Sequence, residues 1–414
     1  MRKGDNPFEP GAGTKPPELV GRDLMLEDAA ANIAKGAKGR PIRGQVFYGL
    51  RGVGKTVLLR EVGVRAAEAV DAIVLDLETP ERRSIQEILA PELRKALIQL
   101  SSAEMARDVV RRGAGVLQSF ASKFKLKIGE VEAEVKPVAG VADSGDLESD
   151  IPDLLEAVGN AAKAAKRVVL LALDEMQELK PAELSALITG IHRINQRSLP
   201  VGLFGAGLPH LLAAAGDAKS YSERLFQWVE IGALTQADAH KAIVDPVEQN
   251  SAKIEVKAVA RIIEQSQCYP YFLQEWGFTS WNQAVSSPIT LADVERASPL
   301  VVASLDKSFF RVRFNRVTEA ERDYMRAMAE LGPGPYTTGD VAGILGKSST
   351  QVATIRAKLI EKGMVYSNQY GQVSFSVPQF DTFMRREMPD FKSPTTPNSK
   401  KSASSTRRKE KKDA

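Results

Sequence analysis

The chain has 414 residues, 43% of them hydrophobic and 26% charged, with a formal net charge of +4. That length exceeds what one hydrophobic core sustains, so two or three domains are expected. No apolar run reaches the roughly 18 residues of a membrane span, and Met1 to Pro17 lacks the apolar stretch of a secretory signal. Cys268 is the only cysteine, which excludes an internal disulfide or a multi-cysteine metal site, and His192, His210 and His240 are scattered. A cytoplasmic address is the expectation. Residues 391–414 carry eight Lys/Arg against two acids, a balance of +6, which leaves the rest of the chain at −2. The basic character belongs to a tail rich in Ser, Pro and Lys, a composition expected to be disordered and suited to tethering on nucleic acid.

In chain order, Asn6 to Arg22 is punctuated by Pro and Gly and predicts extended loop, followed by a helix over 23–35. A short buried strand over 45–48 leads into Gly49-Leu50-Arg51-Gly52-Val53-Gly54-Lys55-Thr56, and a helix follows from Lys55 to about 68. A second strand is expected over 72–77 and a helix over 84–100. A third strand is expected over 167–173, a helix over 182–195, and strands over 200–204 and 228–231. Short apolar runs alternating with long helices predict a parallel sheet covered on both faces. Residues 102–145 fit this scheme poorly. The alternation of Phe124, Leu126, Ile128, Val131 and Val135 suggests a hairpin or an insertion there.

The G-x-x-x-x-G-K-T pattern between a strand and a helix predicts ATP and Mg²⁺ as ligands. Glycines permit positive φ, so backbone N–H groups turn inward on phosphate oxygens, and the N-terminus of the next helix favours the same anion. Gly49, Gly52, Val53, Gly54, Lys55, Thr56 and Val57 form the expected nucleotide-binding set. Lys55 would reach the β- and γ-phosphates and the Thr56 hydroxyl would hold Mg²⁺. About 120 residues on, the apolar run 168–173 ends in Asp174-Glu175. Asp174 is the expected second metal residue and Glu175 the base that orients and deprotonates water; Gln177 is close enough to assist.

Beyond Thr235 the strands stop. Helices are expected over 237–249, 256–267, 271–284 and 291–306. Thr318-Glu319-Ala320-Glu321 reads as a capping box opening a helix to 331. Helices over 338–345 and 349–362 then precede a hairpin of 364–366 with 372–376. Helix, helix–turn–helix and two-stranded wing together predict a winged helix. In the helix over 349–362, Val352, Ile355 and Leu359 should face the core. Ser349, Thr350, Gln351, Thr354 and Lys358 would then be free to contact double-stranded DNA, with Arg356 nearby. Residues 316–390 carry nine basic and nine acidic residues, so phosphate neutralisation would lean on Arg311, Arg313, Arg316 and the tail.

Glycine loop, apolar strand ending in Asp-Glu, and helical lid together resemble the AAA+ class of ATPases. The likeness is strongest to the initiator (origin-recognition) group with its C-terminal winged helix, and to the STAND group of switch ATPases with their archaeal ATPase relatives. The resemblance implies an α/β P-loop domain over 1–235, a lid over 236–308, a winged helix over 309–390 and a basic tail from 391. It implies that 17–22 cups adenine with Val20 on the base, and that Arg224 is an arginine finger acting in trans in a nucleotide-dependent homo-oligomer. It also implies a polar sensor at the end of the fourth strand, where this chain has Phe204-Gly205-Ala206-Gly207-Leu208-Pro209. No second-sensor arginine stands in Gln267-Cys268-Tyr269-Pro270-Tyr271-Phe272. That segment looks instead like the Gly-x-Pro element of the STAND group, with Cys268 replacing Gly and Pro270 meeting the nucleotide. The expected function is a slow ATP-hydrolysing switch acting on DNA or a partner. The alternatives are a nucleotide-regulated transcription regulator with negligible hydrolysis and a STAND-type scaffold with no DNA role.

Overall fold

The computed structural model describes residues 1–11, 13–79, 83–128, 135–367 and 371–391. The chain divides into two compact units, Met1–Ala303 and Ser304–Ala414. The boundary expected at 235/236 falls inside the first, so sheet and lid helices belong to one unit.

The first unit begins α1 (Asp23–Ala37), β1 (Gln45–Tyr48), α2 (Lys55–Val70), β2 (Ile73–Glu78) and α3 (Ile85–Leu100). It continues α4 (Arg107–Lys123), α5 (Leu147–Ala164), β3 (Val169–Asp174), α6 (Pro181–Gln196), β4 (Val201–Gly207), α7 (Leu211–Ala218), α8 (Ser222–Leu225) and β5 (Gln227–Glu230). The five strands are all parallel, in the order β2-β3-β4-β1-β5. All seven residues of β4 and the first five of β3 are buried. Continuous apolar runs of this kind suit strands with helices on both faces. Parallel register brings the carboxyl ends of β1, β3 and β4 to one edge, which is where ligands gather in such sheets.

Residues 102–145 are not a hairpin among the described residues; positions 129–134 of the expected alternation lie outside them. Residues 107–123 form α4, and Leu147–Ala164, unassigned from the sequence, is α5. Val110, Leu117 and Phe120 of α4 and Leu154, Leu155 and Val158 of α5 are buried in one core with β2 and β3. Val138 donates its N–H to Gly115 O at 3.2 Å, which lays the end of the alternating segment along α4.

The lid helices are α9 (Gln236–Gln249), α10 (Val256–Ser266), α11 (Pro270–Gln283) and α12 (Leu291–Leu305). The N-terminal segment is extended, as expected, and is anchored on α11. Phe8 is buried against Gly277, where an added Cβ would lie 2.6 Å from its ring, and Trp281 donates its indole N–H to Arg2 O at 3.0 Å.

The second unit holds α13 (Arg311–Phe314), α14 (Glu319–Glu330), β6 (Tyr336–Thr337), α15 (Thr338–Ile344), α16 (Ser349–Glu361), β7 (Val365–Tyr366), β8 (Gln372–Phe375) and α17 (Phe380–Glu387). Thr318 and Glu321 form the expected capping box. The strands make an antiparallel sheet in the order β6-β8-β7, one strand more than the expected hairpin. Helix α17 was also not foreseen. Its Phe380 and Phe383 pack with Phe310, at ring centroids of 5.7 and 5.3 Å. Among the described residues no helix is long and apolar enough to cross a membrane.

Candidate functional site

Between β1 and α2 the loop is shaped by backbone constraints. Gly49 donates its N–H to Gly207 O at 3.2 Å, and Ile231 donates to Tyr48 O at 2.7 Å, so the loop's root is fixed to β4 on one side and to the residue after β5 on the other. A Cβ on Gly49 would lie 2.0 Å from Ile231 O, so only glycine fits. Gly52 and Gly54 have φ of 86° and 93°, the left-handed region that glycine enters without cost. Gly54 caps α2. Val53 and Val57 are buried and hold the loop to the core. Lys55 opens α2, and its ammonium donates to Gly49 O at 2.9 Å and Leu50 O at 2.8 Å. Burial, helped by the Arg51 charge, pushes its pKa down to about 8 against the opposing pull of Glu175 and Asp174.

The two sequence motifs meet directly. Thr56, at the start of α2, donates its hydroxyl to Asp174 Oδ2 at 2.6 Å, joining residues 118 apart. Asp174 is the last residue of β3, and its Oδ1 accepts from Glu175 N at 2.8 Å. Burial raises its pKa, with the Thr56 and Glu175 hydrogen bonds opposing. Glu175 turns the chain off the strand with φ 53°, left-handed for a non-glycine residue, a strained conformation of the kind found at functional sites.

The carboxylate of Glu175 is held on both sides. Arg51 Nη1 lies 3.6 Å from Oε1, and Gln177 donates its amide N–H to Oε2. The Gln177 carbonyl in turn accepts from Leu208 N at 3.0 Å. Gln177 thus spans the gap from Glu175 to the tip of β4, where no polar side chain stands. A Cβ on Gly207 would lie 2.5 Å from Leu211 Cδ2 and 3.0 Å from Gln177 Oε1, and one on Gly205 2.1 Å from Met176 Sδ. The glycines at the tip therefore make room for residues 176 and 177.

Around this edge, Arg22 is buried and donates to Gly232 O at 2.8 Å and Val53 O at 3.5 Å. Burial lowers its pKa and Asp238 opposes that. The turn holding half-buried Val20 is thereby set beside the glycine loop. From the lid, Tyr269 donates its hydroxyl to Arg51 O, and Tyr271 donates its N–H to Gly52 O at 3.2 Å. Pro270 opens α11 between them. The lid thus meets the loop through the residues flanking Pro270. Gln267 and Cys268 have φ of 53° and 58°, a conformation natural to glycine.

Arg224 lies elsewhere. It sits on α8 just before β5, whose first residue Gln227 pairs with Gln45 at the start of β1, so it belongs to the sheet edge opposite the loop. Its side chain is exposed.

In α16, Val352 and Leu359 are buried, Ile355 is half-buried, and Ser349, Thr350, Gln351, Thr354 and Lys358 are exposed. Arg356 is tied back to the strands by hydrogen bonds to Ser367 Oγ at 3.3 Å and Gln372 O at 3.4 Å. Arg311, expected to face phosphate, is bridged by both nitrogens to Glu387 at 2.8 and 2.5 Å, and the Arg313 guanidinium lies 4.2 Å from the Phe309 ring centroid.

Residues 18–204 match the AAA ATPase domain family, and residues 307–384 match a domain of unknown function, DUF8462. No curated protein matches the chain. Among solved structures, the Walker-type ATPase of Pyrococcus abyssi is similar at 15% identity and a TM-score of 0.57, covering 91% of this chain and 99% of that one. The ORC2 protein of Aeropyrum pernix, solved with ADPNP and ADP, is similar at 14% identity and a TM-score of 0.52, covering 92% of this chain and 98% of that one. At such identities the likeness is one of fold.

Proposed function

We propose that this chain, which carries an AAA+ P-loop ATPase domain, hydrolyses ATP slowly and uses its nucleotide state to switch what the Ser304–Ala414 unit binds. The observation that carries the ATPase reading is the 2.6 Å bond between Thr56 and Asp174, because it brings the glycine loop and the end of β3 to one point. One hydroxyl and one half-buried carboxylate suit Mg²⁺, which takes few protein ligands and completes its shell from water and phosphate. Thr56 and Asp174 would hold the ion, which when bound neutralises phosphate charge.

The remaining steps belong to the chain. Lys55 and the N–H groups of Gly52 to Thr56 hold the β- and γ-phosphates. Val20 and its neighbours pack on the adenine, and Pro270 with its two flanking tyrosines carries the state of the loop to the lid. Glu175 accepts a proton from a water whose oxygen attacks the γ-phosphorus, as the bond to the β–γ bridging oxygen breaks and ADP leaves. With Arg224 on the far edge of its own sheet, an arginine finger would have to come from a neighbouring copy, in a nucleotide-dependent homo-oligomer. Phosphate release by the purified full chain with Mg²⁺, compared with Glu175→Gln, tests this reading. The variant should keep its ATP affinity and lose turnover, and equal rates would refute Glu175 as the base.

For output, the exposed row Ser349, Thr350, Gln351, Thr354 and Lys358 has the chemistry to meet double-stranded DNA as a winged helix, with the tail adding phosphate contacts. A cytoplasmic site of action fits this role. A second reading, protein docking by the same unit, is favoured by the neutralisation of Arg311 by Glu387. DNA affinity measured over a salt series separates the two, since binding through phosphates must weaken steeply with salt.

A further inference from the structure

The third position of the glycine loop is open to any residue in the sequence pattern, and here it is a cation. We propose that Arg51 is this chain's own γ-phosphate-side cation, whose guanidinium holds Glu175 until ATP binds and then exchanges that carboxylate for the γ-phosphate. The inference rests on the reading of Lys55 and Glu175 as an ATP site and names a further positioning residue within it.

Three observations carry it. The Arg51–Glu175 pair is loose, at 3.6 Å with side chains 29% and 34% exposed. Pairs this open to water are worth little and are readily exchanged. A phosphate is the better partner, because the planar guanidinium matches its oxygens with two parallel hydrogen bonds. Second, Glu175 is not released into solvent when Arg51 leaves, since Gln177 still donates to its other oxygen. Arrival of the γ-phosphate and release of Glu175 from the guanidinium are then one event. Third, the backbone at this point is pinned from behind, by the Tyr269 hydroxyl on Arg51 O and the Tyr271 N–H on Gly52 O. Only the side chain has to swing. ADP has no γ-phosphate to draw it away, so Arg51 should report the difference between the two nucleotides.

The test compares affinity for ADP and for a non-hydrolysable ATP analogue in the full chain with Mg²⁺, using wild type, Arg51→Met and Arg51→Lys. Arg51→Met should weaken the analogue about tenfold, equivalent to 1.4 kcal/mol, while ADP stays within about twofold. Unchanged ADP binding also shows that the variant is folded. Arg51→Lys should fall between, since it keeps the charge and loses the fork. Equal changes for both nucleotides, or none for either, would overturn the role of Arg51. Wild type that binds neither nucleotide would overturn the ATP-site reading beneath it, a result seen before any substitution is made.

Discussion

Replacing Gln177 by alanine tests how Glu175 is kept in place. The side chain makes two bonds that matter, its amide N–H to Glu175 and its carbonyl from Leu208 N at 3.0 Å. Leu208 is only 3% exposed, so its N–H has no ready substitute in water. Leaving such a donor unmet costs about 1–3 kcal/mol, which for a unit of this size is a fall of several degrees in Tm. The catalytic cost is separate. Glu175 would keep only the loose Arg51 contact in the free chain and lose that too once ATP draws Arg51 away, and a misplacement on the order of 1 Å is enough to lose about 10²-fold in rate. ATP affinity should stay within about twofold, because the hydrogen bonds of Gln177 go to Glu175, Glu178 and Leu208, outside the glycine loop. Gln177→Glu divides the two effects. It still offers an oxygen to Leu208 N, so stability should be largely kept, but it sets a second carboxylate against Glu175, so turnover should fall. The assays are thermal melting, fluorescent-nucleotide titration and phosphate release at saturating ATP. Turnover above half the wild-type value in both variants would refute the idea that Gln177 positions the base.

Other expectations follow from the same geometry. Lys55→Ala should weaken ATP binding by about 10²-fold, the scale of a charge-assisted bond of about 3 kcal/mol; undiminished affinity in a titration would remove Lys55 from the site. Gly54→Ala should cost about 1–3 kcal/mol through its φ of 93° alone, since a Cβ there has open space. Gly49→Ala should cost more, because its Cβ meets a backbone oxygen at 2.0 Å, and chemical denaturation of the pair gives the order. If Arg224 acts in trans, Arg224→Ala and Lys55→Ala proteins should each be inactive alone and regain phosphate release when mixed; no recovery on mixing would rule the finger out. Removing residues 392–414, with eight Lys/Arg and two acids, should flatten the slope of log Kd for duplex DNA against log salt by about 0.9 for each tail cation that meets a phosphate. An unchanged slope would take the tail out of the interface.

The sequence located the phosphate loop and the Asp-Glu pair because their chemistry is tied to short, fixed spacings. Glycines at 49 and 54, a lysine and a hydroxyl have one common explanation between a strand and a helix, and the Thr56–Asp174 contact is its direct consequence. The strands were readable for a similar reason, since β3 and β4 are buried on both faces and must be continuously apolar. The alternation over 123–138 was less informative, because it begins at the end of α4 and Val138, bonded to Gly115 O, ties its far end to that helix. Arg311 is legible only in part. Its charge is visible in the sequence, but Glu387, 76 residues on, cancels it only in the folded chain.

Gln177 shows the same limit at the centre of the site. A sensor sought by strand position has to be a polar side chain at the end of β4, and Gly205-Ala206-Gly207 offers none. Yet the strand tip has no room for a side chain either, since a Cβ on Gly207 would lie 2.5 Å from Leu211 Cδ2 and 3.0 Å from Gln177 Oε1. The residue comes from the turn after β3, two positions beyond Glu175, so its link to β4 appears only when the parallel register sets the two strand ends side by side. On this view the missing polar residue and the assisting glutamine are one substitution made across two strands. A polar side chain at position 207 should then press on both Leu211 and Gln177, and Gly207→Asn should disturb Glu175 through Gln177. Phosphate release by Gly207→Asn at the wild-type rate would show that the two positions are independent.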